Sequence, residues 1–266
     1  MKAIIHTSDD YFQHYIPLFA YCFHRLYPSV EIHATIYGKA DQLTRTALAL
    51  PYLFIHEDNR TVPPAIGRFL EVPAGDVLIA DADILFMAPG LIEYCQRMTK
   101  QLNTCYYAAH GARKKPHRFP DSWKGEKERL CGAFVYVTDE WSKKTKVFRE
   151  MTMHALNNGK LQEYREEDEV VLCNLCKFAC LPINQDKFYP LQHRGVHLGD
   201  FKPEMEHRFT DMAKMAGKLH RDALYNFRMM EQTEPAWLKL VNLIRDNNPK
   251  INKIFHNLYN YMVKVR

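Results

Sequence analysis

Over roughly its first hundred residues the chain alternates between two kinds of segment, and this alternation restricts the fold more than any other feature. Short runs of aliphatic and β-branched residues, "KAIIHTS", "VEIHATIYG", "YLFIHED" and "DVLIA", are separated by stretches with helical spacing. The first such stretch covers residues 11–26 and stops at Pro28, because proline cannot continue the backbone ladder. "ADQLTRTALAL" ends at Pro51, "PPAIGRFLEV" leads to Gly75, and "GLIEYCQRMTKQL" follows the fourth run. Strand and helix in turn at this spacing predict an α/β chain built on a parallel, doubly wound sheet. Ligands of such sheets lie beyond the carboxyl ends of the strands.

The second half is less regular. "YYAAHGA" and "GAFVYVT" are expected as strands, with the basic stretch "RKKPHRFPDSWKGEKERL" between them as a loop over the sheet. A helix is expected over residues 140–156, "FACLPIN" and "RGVHLGDF" are expected to be strand-like, and helices finish the chain. At 47% hydrophobic and 25% charged, the composition is that of an ordinary globular protein with a core to bury. A net charge of +5 is too mild an excess to argue for nucleic acid. Basic residues concentrate near the end: Lys239, Arg245, Lys250, Lys253, Lys264 and Arg266 stand against Asp246 alone. Aromatic and aliphatic residues interleave with them, a pattern that suits either a packed terminal helix or a peripheral contact with an anionic membrane. No run approaches the roughly 18 apolar residues that cross a bilayer. The start reads as a first strand and not as a leader, and an odd count of seven cysteines suggests reduced thiols in the cytoplasm. "CNLCKFAC" lacks the second pair a zinc knuckle needs and reads as an apolar helix.

The chemistry is expected in "DVLIADADILF". Asp81 and Asp83 stand at the end of a buried strand with only Ala82 between them, and two carboxylates so close repel unless a cation lies between. Such a pair supplies oxygen ligands to Mn²⁺ or Mg²⁺, and phosphate oxygens and water fill the remaining positions. A metal-bound diphosphate is therefore the expected ligand. The turn Thr7–Ser8–Asp9 falls at the end of the first strand and faces the same crevice. "HRGVHLGDFKP" offers His197 as a third ligand, a nitrogen donor that favours Mn²⁺, and Lys202 as a point charge for phosphate.

Taken together, these motifs resemble nucleotide-sugar glycosyltransferases of GT-A fold, in particular the family-eight branch that contains glycogenin and the lipopolysaccharide galactosyltransferases. The resemblance covers residues 1–203 and leaves 204–266 as a helical basic extension, packed on the domain or at a membrane surface. It implies a Rossmann-like, mostly parallel central sheet flanked by helices. It also implies a metal-dependent, retaining transfer from a nucleoside-diphosphate sugar, UDP above others, to a glycan, glycolipid or protein acceptor. "HTSDDYF" matches the nucleoside-holding turn, which adds Tyr11 to Thr7, Ser8 and Asp9. Arg68 matches the arginine upstream of the Asp-x-Asp, and Gly132, with Ala133, the small-residue strand. Asp168 and Glu169 match the acidic pair assigned to acceptor binding or catalysis, with Glu169 where the family carries glutamine. His197 and Lys202 match the late His/Lys motif with one residue fewer between them. Two other readings compete. One is a haloacid-dehalogenase-type phosphatase with Asp81 as nucleophile, in which this motif would belong on the first strand and continue into Gly-Thr. The other is a sugar-nucleotide binding module without turnover.

Overall fold

The computed structural model describes residues 1–47, 50–60, 62–108, 113–114, 128–130, 132–159, 168–183 and 195–265. The first half runs β1 (Lys2–Ser8), a 3-10 turn (Tyr11–His14), α1 (Tyr15–Leu26), β2 (Glu31–Tyr37), α2 (Gln42–Ala47), β3 (Leu53–Asp58), α3 (Pro64–Leu70), β4 (Val77–Ala80), β5 (Ile84–Phe86) and α4 (Leu91–Gln101). After these come β6 (Tyr106–Ala108), the two-residue strands β7 (Arg113–Lys114) and β8 (Glu128–Arg129), β9 (Phe134–Val137), α5 (Asp139–Asn157) and α6 (Asp168–Phe178). The last part holds β10 (Gly195–His197), 3-10 turns at Leu198–Phe201 and Pro203–Arg208, and four helices: α7 (Phe209–Met215), α8 (Lys218–Thr233), α9 (Pro235–Asn247) and α10 (Pro249–Lys264).

Six strands form the central sheet in the order β3-β2-β1-β4-β9-β6. β1 pairs in parallel with both β2 and β4, and β2 with β3, whereas β9 runs antiparallel to β4 and β6. The sheet is thus mostly parallel, as expected. Alternation along the strands sends side chains to two cores. Ala3, Ile5, Leu78, Ala80, Phe134 and Tyr136 join a core with α1, α9 and α10. Ile4, Val77, Ile79, Val135 and Val137 join another with α3, α5 and α6. The chain moves from β1 outward to β3, then returns to place β4 on the other side of β1. The strand order therefore reverses between β1 and β4, which is where open α/β sheets form their ligand crevice.

Several expectations need correction. "FACLPIN" is not a strand: α6 continues through Phe178, and Cys180 closes it with φ 53° while the Leu181 N–H returns to the Cys176 carbonyl at 2.8 Å. That is a helix-ending hydrogen-bond pattern. Among the described residues of "RGVHLGDF", only Gly195–His197 is extended, pairing antiparallel with β5, a strand the sequence did not announce. Residues 11–14 form a 3-10 turn ahead of α1 because Asp10 caps them, its carboxylate accepting from the Phe12 N–H. Most of the basic loop at 113–130, together with 109–112 of "YYAAHGA", lies outside the described residues.

A cleft at the carboxyl ends of the strands

The three residues after β4, Asp81–Asp83, turn tightly and the chain re-enters as β5. The Asp81 N–H donates to the Ala133 carbonyl and the Ile84 N–H to the Asp81 carbonyl, at 2.9 and 3.3 Å. β10 lies on β5, and the Leu198 N–H donates to the Asp83 carbonyl at 2.8 Å. Two segments over a hundred residues apart in sequence are thereby fixed side by side. Asp81, Asp83 and His197 each offer one ligand atom, all within 4.8 Å of one another. Asp83 is 7% exposed, and its Oδ1 faces His197 Nε2 at 3.2 Å. Burial would raise the Asp83 carboxyl, yet the His197 ring, and after it Lys202, hold it below the usual carboxylate range. Burial would likewise depress His197, and Asp83 and Asp200 together hold it well above the ordinary value. Asp200 Oδ2 stands 3.6 Å from His197 Nδ1, behind the ring and opposite the ligand nitrogen. Such partners orient a ligating imidazole.

Glycine is required next to this cluster. A Cβ on Gly199 would lie 2.8 Å from Asp83 Oδ2 and 3.0 Å from His197 Nε2, closer than side chains pack. Two carboxylate oxygens, one imidazole nitrogen and a backbone cleared of side-chain bulk make a donor set that fits a hard or borderline divalent cation with several open positions.

Arg68, 3% exposed near the end of α3, reaches across the floor of the cleft. Its Nη1 donates to Asp81 Oδ1, and its Nη2 to Asp168 Oδ2 at 2.7 Å. Burial acts to depress the guanidinium, and the two carboxylates more than reverse that effect. Asp168 opens α6, and Gly132 makes room for the pair: a Cβ there would meet Asp168 Oδ2 at 2.7 Å. Glu169 is half-buried in the same first turn, its backbone carbonyl accepting from the Leu130 N–H.

A cleft of about 590 Å³ is lined by His6, Thr7, Ser8, Arg68, Asp81, Ala82, Asp83, His197 and Lys202 among others, whereas Asp9, Tyr11, Gly132, Asp168 and Glu169 are not part of its lining. The sequence reading missed Phe12, which also lines the cleft with Lys202 Nζ 4.9 Å from its ring centre. Tyr11 stacks on Phe12 at 4.5 Å and sits under Lys250. Asp9 is exposed and packs against Gly38, a glycine at φ 121°. The turn is held instead by Asp10, which takes the Ser8 hydroxyl at 2.6 Å. His6 and Asp200 were missed as well. The only sequence signal for His6 is its position two residues before Ser8 on the same strand face.

No protein-family profile matches the sequence, and no curated protein matches it. Solved structures do. WbbM, described as a bifunctional glycosyltransferase, matches over 91% of this chain and 51% of its own, at 14% identity and TM-score 0.50. The chain has the GT-A fold. It spans about half the length of WbbM. The galactosyltransferase LgtC, solved with donor and acceptor sugar analogues, matches over 66% of this chain and 70% of its own, at 15% identity and TM-score 0.44. Core-mannan synthase A from Aspergillus fumigatus, solved in a Mn/GDP form, matches over 73% and 71%, at 8% identity and TM-score 0.45.

Proposed function

We propose that this protein is a metal-dependent glycosyltransferase that moves a sugar from a nucleoside-diphosphate donor, UDP-linked in the first instance, to a glycan, glycolipid or protein acceptor. The observation that carries this reading is the convergence of Asp81, Asp83 and His197 within 4.8 Å at the point where the strand order reverses. In this reading those three residues hold Mn²⁺ or Mg²⁺, which as a Lewis acid offsets charge on the departing diphosphate. Lys202 supplies further positive charge from the cleft wall. Arg68 acts at one remove: its charge is committed to Asp81 and Asp168, so it fixes the direction of both carboxylates. In this reading Asp168, joined to Asp81 through Arg68, meets hydroxyls of the transferred sugar or the acceptor, with Glu169 beside it as the second acid. On the same reading Thr7 and Ser8, with Phe12, line the nucleoside side of the cleft, and Asp9 and Tyr11 support it from the same turn. Lys239, Lys253 and Lys264 are exposed, as are Leu238 and Val263 next to two of them, and in this reading they meet an anionic membrane that carries a lipid-linked acceptor.

A thermal-shift panel of nucleoside diphosphates and their sugars, with and without Mn²⁺, is expected to show Mn²⁺-dependent stabilisation. Asp83→Asn is expected to abolish it together with donor turnover. Full turnover in that variant would end the proposal. Donor binding without hydrolysis or transfer would favour the binding module, and release of phosphate from simple esters the phosphatase.

A further inference from the structure

A second pocket, of about 600 Å³, opens at the opposite end of the sheet from the metal cluster. Asp76, in its wall, precedes β4, and the far end of β4 leads into Asp81. At about 3.3 Å per residue the two sites stand roughly 17 Å apart along the strand. Val77 and Tyr106 both pair with Val137, so the segment before β6 and the turn after β9 reach the same end. The walls carry Asp76, Gln96, Thr99, Lys100, Asn103 and Thr138, with Glu140 and Lys144 from α5. The fold holds these groups individually. Asp76 Oδ2 accepts from the buried Tyr136 hydroxyl at 2.7 Å. The Thr138 hydroxyl donates to the Cys105 carbonyl at 3.0 Å, which leaves its oxygen lone pairs as acceptors. α4 closes at Asn103, whose φ of 47° is a left-handed conformation that asparagine tolerates, and the Thr104 N–H returns to the Thr99 carbonyl at 3.0 Å.

The charges of this pocket cancel. Asp76 and Glu140 balance Lys100 and Lys144, and Glu140 is already paired with Lys144 at 2.6 Å, so there is no net pull on an ion. Among the described residues only Asp81, Asp83 and His197 meet the spacing of a metal site. What the walls offer is a mixture of carboxylate, amide, hydroxyl and ammonium groups, with Leu181 and Pro182 as an apolar strip beside them. Sugars match such a lining, because each hydroxyl donates and accepts at once while the ring also presents C–H groups. We infer that this pocket binds a neutral saccharide unit, at a site separate from the cleft that holds the metal cluster. The two sites are too far apart for one short ligand, so a glycan that reaches both is an extended chain. Its use as a second hold on the acceptor rests on the transferase reading above; saccharide binding itself does not.

The protein carries its own reporter. Cys180 lines the pocket and its thiol is exposed, whereas Cys22, Cys95, Cys105, Cys173 and Cys176 are buried. The test follows alkylation of Cys180 in the full chain by peptide mapping, with maltotetraose, mannotetraose, galactotetraose, the anionic tetragalacturonate, or Mn²⁺ with UDP. At least one neutral tetrasaccharide is expected to slow the alkylation saturably, and tetragalacturonate and Mn²⁺ with UDP to leave it as it was. Asn103→Gly, which suits the left-handed backbone, and Lys100→Ala, at an exposed position, are each expected to weaken the protection about 3- to 10-fold, the range of one hydrogen bond. Neither is expected to change the unfolding temperature, and Asp83→Asn is expected to leave the protection intact. Absence of protection by every neutral probe, stronger protection by tetragalacturonate, or undiminished protection in both Asn103→Gly and Lys100→Ala would overturn the inference and leave the donor reading standing. Saccharide protection without any Mn²⁺-dependent thermal response to UDP would remove the donor reading and leave the saccharide site.

Discussion

At the scale of single residues, the site depends as much on missing side chains as on present ones. Gly199 and Gly132 each face a carboxylate that a methyl group would displace. Gly199→Ala is therefore expected to weaken Mn²⁺ binding by about 10- to 100-fold, the range seen when groups supporting metal ligands are disturbed. The unfolding temperature without metal should hardly change, since Gly199 has ordinary φ and the clash is with side chains. Metal titration alongside thermal unfolding checks both halves. A variant with undiminished Mn²⁺ affinity would mean that Asp83 and His197 can move apart freely, which the paired β5 and β10 backbone argues against. Arg68 makes a related point. With its charge this buried, the two carboxylates beside it matter first.

At the scale of elements, the first four strands and the helices between them were legible because their periodicities are undiluted and prolines and glycines mark their ends. What was not legible has local causes. β5 and β10 are three residues each, too short to show alternation, and exist because they pair with each other. "FACLPIN" carries strand-forming residues but follows a helix whose buried Val170, Cys173 and Cys176 set the phase. Of the candidate metal cluster, Asp81 and Asp83 were readable from their spacing at a strand end, and His197 from the late His/Lys motif. Phe12 was obscured by the doubled aspartate: the motif pointed to Tyr11, whereas Asp10 caps the turn and brings Phe12 to the cleft. The 3-10 turn after β10 is held from a distance by α10, whose buried Asn257 donates to the Phe201 carbonyl at 3.0 Å. Asn257→Ala leaves that carbonyl unpaired and is expected to cost about 1–3 kcal/mol in urea unfolding. A loss below about 0.5 kcal/mol would show that the turn holds itself.

At the scale of the whole molecule, α9 and α10 are part of the main core: Trp237, Ile244, Phe255, Leu258 and Tyr261 are buried with residues of β1 and β4. Deleting residues 236–266 would therefore disrupt folding before it reported on membranes. Replacing Lys239, Lys253 and Lys264 with glutamate leaves the buried face intact. It is expected to abolish co-sedimentation with phosphatidylserine vesicles, at about 1 kcal/mol per basic residue near such a surface. Unchanged sedimentation would remove the membrane contact from the proposal. No described helix is long and apolar enough to cross a bilayer. The tie from Asn257 to Phe201 has a further consequence during synthesis. The strands and both aspartates leave the ribosome early, but the turn after His197 gains its anchor only once α10 has emerged. A nascent chain thus carries this turn without its anchor until Asn257 has emerged and α10 has folded onto it.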